Sequence, residues 1–245
     1  MNTTHSASQR RGQPAFTIFE LLLLLMILAI LAGIALPVFA SVQKKGMQTK
    51  ALSNAKQIAL ALRLYASDNN GIYPDHTLRN GKPTATLVPD SNTAFAQLFP
   101  TYIQQEAVFW LDKSAFCSPN PPDEVMDNPP KDNPVDTLNK GENEWAYVTG
   151  INDNSSNPAV PLLADGFADP KQHTYTNDPA RPGGVWKGAV AIVIRADSSG
   201  SVMKVDQATM TVTGPNGSNA PGDIFTTKNA GDGWLKPANV VVNPK

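Results

Sequence analysis

The 245-residue chain carries 20 Lys and Arg against 21 Asp and Glu, a formal charge of -1, so no global field favours nucleic acid. A single cysteine, Cys117, excludes an intramolecular disulfide, and three separated histidines, His5, His76 and His173, give no metal-ligand or triad spacing. Of the 21 prolines, 19 lie after residue 70, which predicts a loop-rich C-terminal part.

The first element is apolar. Leu21 to Val42 is a run of 22 residues without a formal charge. As a helix it spans roughly 33 Å, enough for a bilayer core of about 30 Å. A fully buried core helix and a cleaved secretory signal behind Arg10 and Arg11 compete for the same stretch. The run exceeds the usual ~7–15 apolar residues of a signal, and no clear small-x-small site precedes a polar start, which favours the spanning helix. Arg10 and Arg11 on one side and Lys44, Lys45, Lys50 and Lys56 on the other leave its orientation undecided by charge. Gly33 and Pro37 predict a kink or local melting, either a tolerated break or a functional one. Glu20 stands directly against the run; a carboxylate at the edge of hydrocarbon is costly and usually has a partner.

From Ser41 to about Ser67 the sequence stays helix-friendly. Ala51, Ala55, Ile58, Leu62 and Tyr65 recur at spacings of four and three, one face of an amphipathic helix. A continuous rod of around 50 residues, or ~75 Å, is expected. "SDNNGIYPD" ends it, because Asn and Gly favour a left-handed cap and Pro74 cannot extend a helix.

The roughly 175 residues that follow are enough for one ordinary domain with its own core. Residues 75 to 143 read as a long polar connection with one ordered island, Thr93 to Asp112, in one or two short helices packed on the long one. Cys117 to Asp136 is Pro-rich and irregular; Asp123, Glu124, Asp127, Asp132 and Asp136 lack calcium-loop spacing and read as solvated charges. Strands are predicted at 144–150, 159–166 and 188–197. The last turns at Ser198-Ser199-Gly200 into 201–206 as a hairpin, and 208–214 adds a further strand. Three or four antiparallel strands against the amphipathic helix bury both apolar faces. The last forty residues read as loop, and Asp223 and Asp232 are not assigned to a metal.

The stretch from the basic leader through Phe16-Thr17-Ile18-Phe19-Glu20, the apolar span with Pro37 inside it, the amphipathic extension and "DNNGIYPD" resembles the N-terminal region of type IV pilins and type II secretion pseudopilins. The resemblance covers residues 10 to 74. Beyond it, "LLADG" followed by a hairpin looks like the tails of large bacterial pilin-like proteins. The implied fold is α+β and pilin-like: a long transmembrane-then-amphipathic helix packed on a small antiparallel sheet with Pro-rich loops. The implied segments are a cytoplasmic leader at 1–15, an assembly helix at 16–42, its amphipathic continuation at 43–67 and an extracytoplasmic domain at 68–245.

The family's prepilin peptidase cuts after a glycine that precedes F-T-L-x-E-L. Here Ala15 occupies that place. Cleavage after Ala15 keeps the family offset to Glu20 and leaves Phe16 to be N-methylated; cleavage after Gly12 shifts the offset by three. The resemblance implies that Glu20 neutralises the terminal amine of a neighbouring subunit, and that Gly33 and Pro37 mark where the helix bends during assembly. It also implies an inner-membrane, single-pass protein with a cytoplasmic N-terminus and a periplasmic domain, entering a filament after processing. The implied partners are copies of the chain or other pilin-like subunits, the peptidase, the assembly platform and membrane lipid.

No nucleophile elbow, paired-carboxylate motif, HExxH or aromatic-basic stripe is present, so no enzyme activity, cofactor or nucleic-acid partner is expected. The expected function is structural, as a filament or pseudopilus subunit. The alternative is a membrane-anchored extracytoplasmic binding protein that never polymerises, and a third reading, an anchored hydrolase, lacks its motifs.

Overall fold

The computed structural model describes residues 16–79, 82–125, 136–152, 157–214, 222–226 and 235–245, the side chains of 35–38 and 40 excepted. The chain divides into two compact units, Met1–Met47 and Gln48–Lys245. Ala15, Gly12, Asp127, Asp132 and Asp232 lie outside the described residues.

Helix α1 runs from Ile18 to Asp68. Thr17 starts it: its Oγ1 accepts the Glu20 backbone N–H at 3.2 Å, and its carbonyl accepts Leu21 N at 3.1 Å. Thr17-x-x-Glu20 is therefore a capping-box sequence, with a carboxylate in the first turn where the helix dipole favours it. The helix stays continuous through Gly33 and Pro37, so the local melting expected there is absent from this state. Proline removes only one donor from a long ladder, and a Cβ at Gly33 would meet nothing within 4 Å, so no close packing forces the helix open.

The expected transmembrane assignment of 16–42 is likewise not carried by the described residues, among which no helix is long and apolar enough to cross a membrane. The apolar part with described side chains, residues 18–34, extends about 26 Å, short of the ~30 Å core.

Within the second unit, the predicted stripe is the buried face of α1: Ala51, Ala55, Ile58, Leu62 and Tyr65 are all inaccessible, while Leu60 and Leu64 face outward. Fully burying Ile58 or Leu62 contributes roughly 1.5–3 kcal/mol each. The helix ends as its residues predict. Asn70 and Gly71 take φ of 56° and 81°, and Gly71 N donates back to the Ala66 carbonyl at 2.7 Å, closing a left-handed cap.

The next stretch differs from the expected connection. His76–Arg79 (β1) and Lys82–Leu87 (β2) form an antiparallel hairpin. Its alternation is hidden because both strands are largely exposed and polar; a Thr77–Thr84 hydroxyl pair at 2.7 Å ties them. The overlooked signal is Asn80-Gly81, a strong two-residue hairpin dipeptide. The ordered island is as expected in kind: Ser91–Phe95 (α2), capped by the Asp90 carboxylate on Thr93 N, then short 3-10 turns at Ala96–Leu98 and Glu106–Val108. It meets α1 through Tyr65, whose hydroxyl donates to Gln97 Oε1 at 3.2 Å and whose ring stands edge-on to Tyr102.

The sheet contains Trp145–Val148 (β3), Pro161–Asp165 (β4), Val190–Arg195 (β5), Gly200–Lys204 (β6) and Val241–Val242 (β9), in the order β6-β5-β4-β3-β9, with every neighbour antiparallel. β3 and β4 are buried along their whole length, and Phe95, Phe99, Phe109 and Tyr147 form an aromatic cluster beneath them. The β5–β6 hairpin lies against α1. A Cβ on Gly200 would stand 2.3 Å from Ile194 Cδ1, 3.0 Å from Leu52 Cδ1 and 3.1 Å from Lys56 Cε.

Two expectations are corrected. The tail is not all loop: Val241 and Val242 pair with Val148 and Tyr147 to make a fifth strand, which two residues of alternation cannot announce. The strand expected at 208–214 shrinks to Thr213–Gly214 (β7), paired with Gly222–Asp223 (β8) outside the main sheet.

Ile58→Ala is expected to cost about 2–5 kcal/mol, because it opens a cavity in the helix–sheet core. Leu60→Ala on the outer face should change stability by less than ~0.5 kcal/mol. Denaturant unfolding of the full chain in detergent measures both.

Candidate functional site

Two sets of residues carry chemistry beyond packing. The first is the start of α1. Phe16 is 67% exposed, and Glu20 is exposed one helical turn away. Phe16, Glu20, Leu23, Leu24, Ile27 and Leu28 lie on one face, so the carboxylate stands at the head of an exposed apolar helix face rather than on a polar side. Leu21 to Ile34 exposes its large side chains on every face of the helix. A helix apolar all round is stable only in apolar surroundings, and an exposed patch of this size marks an interface or a lipid contact. The structure thus brings Phe16 and Glu20 onto one face; Gly33 lies further along the same helix, exposed, and Pro37 lies within it.

The second set consists of buried acids that sequence spacing could not assemble. Asp165, at the end of β4, is fully buried, and its Oδ2 accepts Trp186 Nε1–H at 2.9 Å and Ile192 N–H at 2.6 Å. Glu144, equally buried at the start of β3, accepts the Ser114 hydroxyl through Oε2. The Trp145–Asp165 register draws the two acids together. Asp165 Oδ1 and Glu144 Oε1 have no hydrogen-bond partner among the described residues. Burial pushes Asp165 up to about 7. Burial, and then the Asp165 charge, pushes Glu144 well above its usual range. The pair is therefore built to keep a proton. Asp75 is a third case: burial pushes it up to about 6 against the Gly150 N–H and Tyr147 hydroxyl that it accepts at 2.9 and 3.0 Å. Gly150 has φ 74°, and a Cβ there would stand 3.0 Å from the Ala238 carbonyl.

A further group joins Glu106, Asp123 and Glu142, from three separate segments, with one carboxylate oxygen of each within 4.8 Å of the others. Asp123 is exposed, as expected of a loop charge, and lies beside these two buried acids. Glu124 caps the 3-10 turn instead, accepting Glu106 N and Ala107 N at 2.9 and 3.1 Å. Burial pushes Glu106 up to about 7, with Glu142, Asp123 and Glu124 adding to the effect against the Leu138 N–H. Asp223 is occupied by its own surroundings: His173 Nδ1 lies 2.7 Å away, and Phe225 N and the Thr226 hydroxyl donate to it. Cys117 is held up to about 12, chiefly by burial and then by Glu144, which makes it a poor nucleophile.

Among known proteins, the chain is similar to the type II secretion system core protein G of Aeromonas hydrophila. It is 37% identical to it over 89 residues, which cover 34% of this chain and 60% of that protein. The chain thus spans about three-fifths of that curated relative's length. No family model matches the chain, and no solved structure does. The likeness supports a distant relation to the pilin-like proteins, and the α+β reading rests on the helix and antiparallel sheet of the structure itself.

Folded Asp165 holds its proton to about pH 7, whereas an unfolded Asp loses it near ~4, so the native state binds more protons in that window. Stability is therefore expected to fall as pH rises from about 4 to about 7, with Asp75 acting in the same direction. Asp165→Asn keeps an acceptor for Trp186 and Ile192 and removes one titrating group. It should shrink the pH 5 to pH 8 stability loss by a few kcal/mol, measured by denaturant unfolding at each pH.

Proposed function

We propose that the chain is a structural subunit of a type II secretion pseudopilus or related type IV pilus-like filament, assembled through α1. The observation that carries this reading is the conjunction at its N-terminus. An all-round apolar helix opens on Phe16 and Glu20 on one face, in a chain similar to a type II secretion core protein.

In this reading, prepilin peptidase removes residues 1–15 by cutting after Ala15, and the new terminal Phe16 is N-methylated. The protein first lies in the bacterial inner membrane as a single-pass span, supported by the 22 uncharged residues from Leu21 to Val42, with its C-terminal domain in the periplasm. The assembly platform then moves it from lipid into a bundle of like helices, so the apolar surface exchanges one apolar environment for another. Glu20 of an incoming subunit pairs with the Phe16 ammonium of its neighbour. Two opposite charges brought together in low dielectric are far cheaper than either alone, and only one axial offset pairs them. Bending near Gly33 and Pro37 adjusts the helix during packing. The role is non-enzymatic and uses no nucleic acid.

The capping box sharpens the test. Gln serves at the third helical position as well as Glu, so Glu20→Gln preserves the helix start and removes only the charge. Membrane insertion and the fold should be unchanged, while incorporation into filaments falls at least tenfold, since an unpaired buried charge costs about 3–5 kcal/mol. Equal incorporation would remove the ion pair from the assembly reading. Intact mass of the protein from cells containing prepilin peptidase should show a chain beginning at methylated Phe16. An uncut Met1 terminus would favour the anchored, non-polymerising binding protein.

A further inference from the structure

We propose that Glu106, Asp123 and Glu142 form a binding site for a divalent cation of the hard, oxygen-ligated class, of which calcium is the natural probe. The three oxygens lie within 4.8 Å of one another. Two ligands at ~2.4 Å from one calcium ion stand at most about 4.8 Å apart, a limit that every pair of the three oxygens meets, and a shared ion draws them inward to complete its bonds.

A second observation is independent of the clustering. Glu106 is fully buried, and its Oε1 accepts the Leu138 N–H at 2.7 Å, yet its Oε2 has no hydrogen-bond partner among the described residues. A buried carboxylate oxygen left unpaired is expensive, and native structures seldom keep one without a ligand or proton. The neighbours aggravate this. Glu142, Asp123 and Glu124 all place negative charge near Glu106, and none of the three cluster residues enters an ion pair among the described residues.

Backbone donors aim the set. Asn139 N and Asp123 N both donate to the Glu142 carboxylate, and Val125 N donates to Asp123 Oδ1 at 2.9 Å. Glu124 lies beside the site but is committed to the N–H groups of Glu106 and Ala107, which leaves it an orienting role. Three carboxylates from a 3-10 turn, a loop and the approach to β3 give the ion protein ligands on several sides. Calcium's flexible coordination of 6–8 oxygens leaves room for water or carbonyls in the remaining positions. The bound ion ties these segments together in a chain whose single cysteine allows no internal disulfide.

The test uses the full chain in detergent, stripped with chelator and titrated with calcium chloride by calorimetry and thermal unfolding. Saturable binding with a Kd of about 10⁻⁵–10⁻³ M and a Tm rise of several degrees is expected. Glu106 is buried, and Glu106→Gln risks misfolding, so the deciding variant is the exposed Asp123→Asn, which should weaken binding at least tenfold while the calcium-free Tm does not fall, because it relieves negative charge beside Glu106. Asp112→Asn, an exposed carboxylate elsewhere, should bind as the parent does. The proposal is overturned by no saturable binding up to ~10 mM, by an equal Tm rise from sodium chloride at matched ionic strength, or by an Asp123→Asn protein that binds as tightly as the parent. Filament incorporation measured alongside keeps this result separate from the assembly reading, since the cation site does not depend on it.

Discussion

The stripe of Ala51, Ala55, Ile58, Leu62 and Tyr65 is the surface on which the globular unit is built. The β5–β6 hairpin approaches α1 beside that stripe, at Gly200, where any side chain would collide with Ile194 of β5 and with Leu52 of α1. Because the interior is close-packed, adding a side chain at Gly200 displaces the hairpin. Tyr65 extends the same face to the α2 region through Gln97 and Tyr102, so one helix face organises elements distant in sequence.

The same helix has a first half of opposite character. From Leu21 to Ile34 it is apolar on every side, and its large side chains are exposed among the described residues, as suits a helix in apolar surroundings. Its N-terminus combines two demands on one residue. Glu20 occupies the first turn, where a carboxylate favours helix initiation, and it shares a face with Phe16, where a charge faces apolar side chains. A helix cap alone would explain a Glu here. The apolar face below it means that the charge acquires a cost once that face is covered by apolar surroundings, and with the cost a reason to meet a partner.

Away from that terminus, the domain stores several carboxyls in places that disfavour their charge. Asp75, Glu144 and Asp165 all lie against the main sheet, and each gains one or two hydrogen bonds without recovering the full hydration it lost. Their uniform direction makes the fold favour mild acidity, and the Glu144–Asp165 pair couples the ends of two neighbouring strands. Glu106 belongs to the same physical class, with Asp123 and Glu142 each bringing a carboxylate oxygen within 4.8 Å of its own.

Local chemistry was legible wherever it was set by residues near one another in the chain. The 3.6-residue periodicity gave the buried face of α1, Asn70-Gly71 gave its cap, and alternating or continuous apolar runs gave β3 to β6 within a residue or two. The β1–β2 hairpin was missed because its solvated strands lack an apolar alternation, and the carboxylate groups because their members are tens of residues apart. By itself the sequence determined the helix, its two contrasting halves and the main strands, since propensity and hydrophobic period act over a few residues. Only the tertiary structure decided that Val241–Val242 closes the sheet beside β3, and that Glu106, Asp123 and Glu142 share one point. Such neighbours are chosen by the packing of the whole core, and no short-range pattern encodes them.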